Sequence, residues 1–176
     1  MKSFTPSKLI IVVYVALFMA KFPGSTYSAS DLIERTCKAT PYYDLCVKTL
    51  KSNPNSSGAD VKGLASIAAT GTLKEAMGTL KKIYQVFREA KDPVWKKSVQ
   101  TCLEAYSIIT KIDLNQVSLG ITEGNYQRAI DCASDLPKQT EKCQNSFEKS
   151  PFTGENLVVH MLAEVVISIV KTFLQN

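Results

Sequence analysis

The chain has 176 residues, of which 45% are hydrophobic and 21% are charged, with five cysteines and one histidine. Residues 1–30 hold three of the 21 basic residues and none of the 16 acidic ones, so residues 31–176 carry 18 basic and 16 acidic side chains and a net charge of +2. A charge this close to neutral excludes nucleic acid as the expected partner. The remaining length is enough for one domain with a buried core.

Residues 1–30 have the features of a secretory signal peptide. Two lysines precede a run of twelve apolar residues at positions 9–20, and small residues follow that run. The apolar run is too short to span a bilayer. We therefore expect cleavage between Ser25 and Asp31, which leaves residues 31–176 as a secreted domain without a membrane anchor.

Two cysteines directly after the leader predict a stapled helical hairpin. Cys37 and Cys46 lie nine positions apart and flank the turn signal Thr40-Pro41. Residues 31–38 and 42–52 can each form a few helical turns. A disulfide between these cysteines is typical of a protein that has passed through the secretory pathway. Closing a loop of this size stabilises a fold by roughly 2–3 kcal/mol on the chain-entropy model.

A polar segment at residues 53–58 ends the hairpin. It contains Asn55-Ser56-Ser57, an acceptor sequence for N-glycosylation in the exposed loops of secreted proteins. Asn55 is therefore a candidate glycosylation site.

Four amphipathic helices are predicted after this segment. The first spans residues 60–90, and in each helix the residues of the predicted buried face recur at steps of three or four, the spacing of one helix face. The predicted buried faces are, in chain order, Leu73, Met77, Leu80, Tyr84 and Phe87; Trp95, Val99, Cys102, Tyr106 and Ile109; Tyr126, Ala129, Ala133, Leu136, Thr140, Cys143 and Phe147; and Val158, Leu162, Val165, Ile169 and Phe173.

Capping residues and breakers set the predicted boundaries of these helices. Asp92 caps the second helix with Pro93 in its first position. Gly120 or Gly124 ends that helix. Pro137 predicts a kink or break in the third helix, because an interior proline costs about 3 kcal/mol.

The fold class is therefore predicted to be all-α. Four helices with short connections favour an up-down-up-down four-helix bundle, with the stapled hairpin attached at its N-terminal side. No segment has a competing strand pattern. Glu164 and Lys171 argue against a membrane span in the last helix.

The remaining cysteines lie where this topology lets them meet. Cys102 and Cys143 fall on the core faces of two antiparallel neighbours, while Cys132 lies next to the face of the third helix and is an alternative partner for Cys102. The spacing leaves this choice open. There is no Cys-x-x-Cys pair and His160 is distant from the cysteines in sequence, so no metal and no cofactor are expected.

The sequence offers no recognisable catalytic set. It contains no Gly-x-Ser-x-Gly motif and no phosphate-binding glycine loop, and its one histidine, His160, pairs at i,i+4 with Glu164 in a manner typical of a helix surface. An enzyme is therefore not expected. A helical secreted ligand and a carrier of apolar ligands share the predicted architecture and remain alternatives.

Three blocks of sequence around the cysteines resemble the plant invertase and pectin methylesterase inhibitor family. They read Thr-Cys-Lys-Ala-Thr-Pro-Tyr-Tyr-Asp-Leu-Cys at residues 36–46, Thr-Cys-Leu-Glu-Ala-Tyr at 101–106 and Glu-Lys-Cys-Gln-Asn-Ser-Phe at 141–147. The resemblance covers residues 32–174. It implies a four-helix bundle with an N-terminal hairpin, disulfides Cys37–Cys46 and Cys102–Cys143, and a free thiol at Cys132.

The resemblance also implies an inhibitor of a cell-wall enzyme. Val-Trp-Lys at residues 94–96, Ser-Pro-Phe at 150–152 and Asn-Leu-Val-Val-His at 156–160 are similar to the invertase branch. That branch typically has Pro-Lys-Phe at the start of the third helix, where the lysine and the aromatic ring address the sugar-binding cleft. The matching positions here read Tyr126-Gln127-Arg128. The candidate target contacts are therefore Asn125, Tyr126, Gln127 and Arg128.

The function that the resemblance implies is the blocking of a plant acid invertase (β-fructofuranosidase) by 1:1 non-covalent occlusion of its active-site cleft. Inhibition of pectin methylesterase on the same scaffold is the alternative. We expect a monomer before target binding, secreted to the apoplast or cell wall, with the vacuole as an alternative destination.

Overall fold

The computed structural model describes residues 29–175, so the predicted signal peptide lies outside the described residues except for its last two positions. Every regular element in this range is helical. The elements are α1 (Ala29–Lys38), α2 (Tyr43–Lys51), a 3₁₀ turn (Pro54–Gly58), α3 (Val61–Glu89), α4 (Pro93–Ile108), a π-helical turn (Ile109–Asp113), α5 (Leu114–Glu123), α6 (Tyr126–Ala133), α7 (Asp135–Gln144), α8 (Thr153–Lys171) and a closing 3₁₀ turn (Thr172–Leu174).

These elements form the predicted four-helix bundle. The four rods are α3, α4 with α5, α6 with α7, and α8; α3 and α8 pack along each other, as do α4 and α7, and α5 and α6. The hairpin of α1 and α2 lies against α3 and α8. The hairpin inserts Ile33, Cys37, Cys46 and Leu50 into the core. The all-α fold class is confirmed.

Local side-chain caps fix where the rods begin. The Asp60 side chain accepts a hydrogen bond from the Gly63 backbone N–H at 2.7 Å, and the Asp92 side chain accepts one from Trp95 N–H at 2.7 Å. Each cap satisfies a donor that the first turn of a helix leaves without an intrahelical partner. Pro93 occupies the first helical position, as the sequence predicts.

The predicted buried face of the first bundle helix is wrong. Met77 and Tyr84 are 58% and 49% exposed. The buried face of α3 is instead built mostly from small residues, rotated by roughly a quarter turn from the predicted one. Small side chains on this face let the neighbouring helices approach closely. The buried residues of α3 are Leu64, Ala65, Ala68, Ala69, Thr72, Ala76, Thr79 and Ile83.

The third rod breaks just before its proline. α6 ends at Ala133, and α7 begins at Asp135, so Pro137 is the third residue of a new helix. At that position a backbone N–H would have no intrahelical acceptor, and the proline costs no hydrogen bond. The predicted break is present, displaced towards Ser134.

The last helical stretch, residues 153–174, is long and apolar enough to cross a membrane by composition alone, with a mean hydropathy of 2.0 over an 18-residue window. Most of its apolar side chains lie in the bundle core. The buried positions of α8 include Val159, Leu162, Val165, Val166, Ile169 and Val170. Bundle packing therefore accounts for this apolarity.

Any side chain at Gly120 is expected to disturb the packing of α5 against α6. A Cβ at this position would lie 2.8 Å from Ala129 N and 2.9 Å from Asn125 O, both backbone atoms. We expect Gly120→Ala to lower the free energy of unfolding by about 1–3 kcal/mol, the usual range for overpacking. Urea denaturation measures the change.

Gly78 provides the matched control for that substitution. It lies in the middle of α3 with no heavy atom within 4 Å of an added Cβ. Gly78→Ala should stabilise the protein by about 0.5–1 kcal/mol, since alanine restricts the unfolded chain and favours the helix. Equal shifts in both variants would contradict the close approach at Gly120.

Candidate functional site

Two disulfides brace the molecule. Cys37 is bonded to Cys46 within the hairpin, and Cys102 of α4 is bonded to Cys143 of α7. All four of these residues are fully buried. These are the pairings that the family resemblance implies. Cys132 in α6 is unpaired and half-buried.

The candidate contact residues lie at the turn between α5 and α6. Gly124 ends α5 with a φ of 76°, a left-handed conformation that favours glycine. The close approach at Gly120 then lets the chain reverse within two residues. The resulting contact turn, residues 124–128, sits at the end of the bundle where α3 begins: Lys62 Nζ donates to the Thr122 carbonyl at 2.9 Å.

Asn125 and Tyr126 anchor the contact turn. The Asn125 side chain accepts a hydrogen bond from the Arg128 backbone N–H at 3.2 Å, capping α6. The Tyr126 ring stacks on Phe173, with 4.5 Å between ring centroids and 15° between planes. Tyr126 is therefore half-buried and heads the core face of its helix, while Asn125 is exposed. The turn is rigid because both its cap and its aromatic ring are fixed.

Arg128 is held in place by two neighbours on α5. Its guanidinium pairs with Glu123 Oε2 at 3.3 Å and donates a hydrogen bond to Gln116 Oε1. The Arg128 side chain is still 39% exposed. Gln127 is exposed and donates to Asp131 Oδ1 at 2.8 Å. The four predicted contacts thus form one surface, in which Arg128 offers a positioned cation.

Several residues of the sequence features that resemble the invertase branch pack at the other end of the bundle, but Val94 is 76% exposed, and Trp95 is 38% exposed instead of buried as predicted, because it lies in the first turn of its helix. Trp95, in the first turn of α4, meets Phe147 edge to face with 4.8 Å between centroids. Phe147 in turn contacts the buried Phe152. The Tyr106 hydroxyl donates to Asn156 Oδ1 at 2.9 Å in the core. These residues shape the scaffold and lie a full helix length from the contact turn.

Asp113 is a buried acid that is not among the site residues predicted from the sequence. It ends the π-helical turn, and its Oδ2 has no hydrogen-bond partner among the described residues. Burial and, to a smaller extent, the negative charge of Asp135 on α7 together raise the pKa of Asp113 to about 6. One signal was available: Ile109, Asp113 and Val117 recur every four residues, which puts an acid at a core position of the helix.

Cys132 shares this acidic environment. Burial raises the pKa of its thiol, and the charges of Asp113 and Asp135 raise it further, against a smaller opposing effect of Arg128. The thiol is therefore protonated at neutral pH and is a weak nucleophile. Asn55, by contrast, is exposed in the 3₁₀ turn, so the predicted glycosylation position is accessible.

Stability is expected to rise on acidification because of Asp113. Its pKa is higher in the folded than in the unfolded chain, so the folded state binds more protons between about pH 4 and 6. Stability therefore falls as the pH rises through this window. We expect Asp113→Asn to remove this dependence and to stabilise the protein at pH 7 by on the order of 1–2 kcal/mol.

Urea unfolding of the parent and the variant at pH 4, 5, 6 and 7 measures this effect. Glu141→Gln is the control, since Glu141 is exposed on α7. Asp135, whose charge also raises the pKa of Asp113, and its partner Lys138 stay unchanged in every variant, so the two profiles differ only through the substituted residue. Parallel pH profiles for the parent and Asp113→Asn would contradict the assignment.

Among residues 31–175, no three His, Cys, Asp or Glu side chains are grouped so that they could hold a metal ion. Two residues that position Arg128, Gln116 and Glu123, and the ring partner of Tyr126, Phe173, were not predicted from the sequence. Their contacts cross between helices, and no local pattern marks them.

The comparisons with known proteins agree with the geometry of the bundle. A family model described as plant invertase/pectin methylesterase inhibitor matches residues 31–171. The chain is 31% identical over 143 residues to "Cell wall / vacuolar inhibitor of fructosidase 1" of Arabidopsis thaliana, covering 81% of this chain and 69% of that protein. It is 30% identical over 146 residues to "Pectinesterase inhibitor" of Actinidia deliciosa, covering 82% and 77%.

A solved structure shows the same fold. The crystal structure of a pectin methylesterase inhibitor from Arabidopsis thaliana superposes with a TM-score of 0.61 at 16% identity, covering 80% of this chain and 95% of that one. At this identity the likeness extends to the fold alone.

Proposed function

Because this chain belongs to the plant invertase/pectin methylesterase inhibitor family, we propose that it is a secreted protein that blocks an acid invertase by 1:1 non-covalent occlusion of the active-site cleft. The protein is an inhibitor of enzymes and not an enzyme. The predicted signal peptide, residues 1–30, directs it to the apoplast or cell wall, with the vacuole as the other destination.

The contact turn is the observation that carries this proposal. It places a partly exposed cation, Arg128, and a fixed aromatic ring, Tyr126, in the three-residue segment that matches Pro-Lys-Phe of the invertase branch, with the cation one residue after the lysine position. Arginine has a planar fork of donors that grips a carboxylate in two places. A glycosidase cleft contains the carboxylates that such a group binds, because glycoside hydrolysis uses a pair of them.

Rigidity of the turn supports occlusion as the mechanism. Gly120, Gly124 and the Asn125 cap hold the backbone, and the stacked Tyr126 holds the helix end against the core. A pre-organised surface loses little conformational entropy on docking. The inhibitor therefore needs no covalent step to bind tightly, and it dissociates from the complex chemically unchanged.

Inhibition of pectin methylesterase is the second candidate. The similarity to the Actinidia deliciosa pectinesterase inhibitor extends over nearly the same length as the similarity to the fructosidase inhibitor, at nearly equal identity. If pectin methylesterase is the target, Arg128 and Tyr126 are not expected to be essential contacts. The carboxylate pair that they are proposed to meet belongs to a glycosidase cleft.

Stoichiometric titration of an acid invertase tests the proposed mechanism. We expect activity to fall linearly with added inhibitor up to one equivalent, and the intact masses of both proteins to stay unchanged after prolonged incubation. Cleavage of the inhibitor, an added mass on either protein, or an end point away from one equivalent would each contradict 1:1 non-covalent occlusion.

A further inference from the structure

The outward face of α3 carries cations and large apolar side chains in regular alternation. The residues are spaced three or four apart, so they lie on one side of the helix, opposite its buried face. At 1.5 Å per residue the row is about 21 Å long. All five are exposed, Met77 by 58% and Tyr84 by 49%. We name this set the α3 row: Lys74, Met77, Lys81, Tyr84 and Arg88.

The α3 row is a concentration of unpaired positive charge. Residues 31–176 have a net charge of +2, whereas the row alone carries three cations and no acid. Within residues 31–175, no carboxylate or other acceptor is bonded to Lys74, Lys81 or Arg88. The neighbouring Lys82, which points away from the row, is paired with Glu155 of α8. The chain therefore neutralises the flank of α3 and leaves its outward face cationic.

We propose that the α3 row binds a linear acidic polysaccharide, a chain of sugar rings that bear carboxylates. Charge complementarity supports the partner, because the cations recur every seven residues, about 10.5 Å apart, along a straight line. A polymer of repeating carboxylates can bind along such a row of cations in many registers. The ring C–H faces of its sugars match the apolar surfaces of Met77 and Tyr84, which lie between the cations.

The composition of the row favours a polysaccharide over a protein partner. A protein interface of ordinary size buries about 800 Å² on each side around an apolar core. The row has two exposed apolar residues, and cations separate them. Long, flexible lysines bind as point charges without fixed geometry. Binding is therefore expected to be weak per site, tolerant of register and sensitive to salt.

This binding would be separate from enzyme inhibition. The contact turn lies beside the start of α3, where Lys62 reaches the end of α5, whereas the row occupies the second half of α3. A protein bound to the polysaccharide along α3 keeps its contact turn free. The row would hold the protein in a matrix of acidic polymer, and the inference does not depend on which enzyme is inhibited.

Affinity measurements with two forms of one polymer test the proposal. The probes are a soluble polygalacturonate and the same chain with its carboxylates fully methyl-esterified. We expect the full secreted protein to bind the charged form and not the esterified form. Raising the salt from 50 to 200 mM should weaken binding roughly twentyfold to fortyfold, as expected for release of counterions from about three contacts.

Two triple variants with equal net charge make the test specific to the row. Lys74→Gln/Lys81→Gln/Arg88→Gln should weaken binding to polygalacturonate tenfold or more, while Lys111→Gln/Lys142→Gln/Lys171→Gln, at exposed positions elsewhere, should change it less than twofold. Tyr84→Ala should weaken it severalfold with no change in salt dependence. Invertase inhibition and thermal unfolding should be the same in both triple variants.

Three results would overturn the proposal: equal losses in the two triple variants, equal binding of the esterified polymer, or unchanged binding in the α3 row variant. If that variant binds the polymer normally but loses enzyme inhibition, the row is a contact for the target protein instead.

Discussion

Loss of the Cys102–Cys143 disulfide should lower the free energy of unfolding by about 2–5 kcal/mol, the range for native bridges. The two residues are 41 positions apart, and the bond ties α4 to α7 in the centre of the core. On the chain-entropy model a loop of this length corresponds to about 4 kcal/mol. The variant Cys102→Ala/Cys143→Ala removes both sulfurs, so no buried thiol is left to pair with Cys132. Urea denaturation without reductant measures the change.

Cys132→Ala is the matched control, because it removes a sulfur that forms no bond. Its cost should stay below about 1 kcal/mol, since a half-buried free cysteine behaves as a small hydrophobic residue. Mass mapping of the unreduced parent should show peptides linked through Cys37–Cys46 and Cys102–Cys143. A peptide linked through Cys132, or similar destabilisation in the two variants, would contradict the described pairing.

Arg128→Ala should weaken invertase inhibition by tenfold or more, which corresponds to about 1.4 kcal/mol or more of binding free energy. The guanidinium is the one cation of the contact turn, and the side chains of Glu123 and Gln116 already hold it in position. Removing it takes away a positioned partner for a cleft carboxylate. Inhibition constants for the parent and the variant measure the loss.

Two controls separate contact from scaffold effects at Arg128. Gln127→Ala changes the neighbouring exposed residue of the same turn and should alter inhibition by less than threefold. Glu123→Ala removes one of the two side chains that position the guanidinium and should weaken inhibition by less than Arg128→Ala does. If Arg128→Ala unfolds at the same urea concentration as the parent and inhibits equally well, Arg128 is not a contact.

The sequence predicts most of the scaffold because helical periodicity and caps are local. The Asp92 cap, Pro93 and the four rods follow from residues within a few positions of one another. The sequence mispredicts the buried face of α3 for a physical reason: its large apolar side chains predict the core face, whereas alanines and threonines pack there. Tight helix packing selects small residues, which contribute little to a hydrophobic pattern.

The candidate site could be located from the sequence but its contacts could not. The resemblance points to residues 125–128, and Gly124 marks the turn before them. The pairing of Arg128 with Gln116, and of Tyr126 with Phe173, depends on how distant helices meet. The sequence places Asp113 at a core position, because it lies four residues from both Ile109 and Val117. That its carboxylate has no partner is visible only in the packed structure.

Titration of the secreted protein against an acid invertase and a pectin methylesterase in parallel tests the central claim most directly. The account predicts that invertase activity falls to its end point at one equivalent, that the esterase keeps its full activity at the same concentrations, and that Arg128→Ala weakens only the first effect. Inhibition of the esterase alone would contradict the account, and full activity of both enzymes at excess inhibitor would contradict it equally.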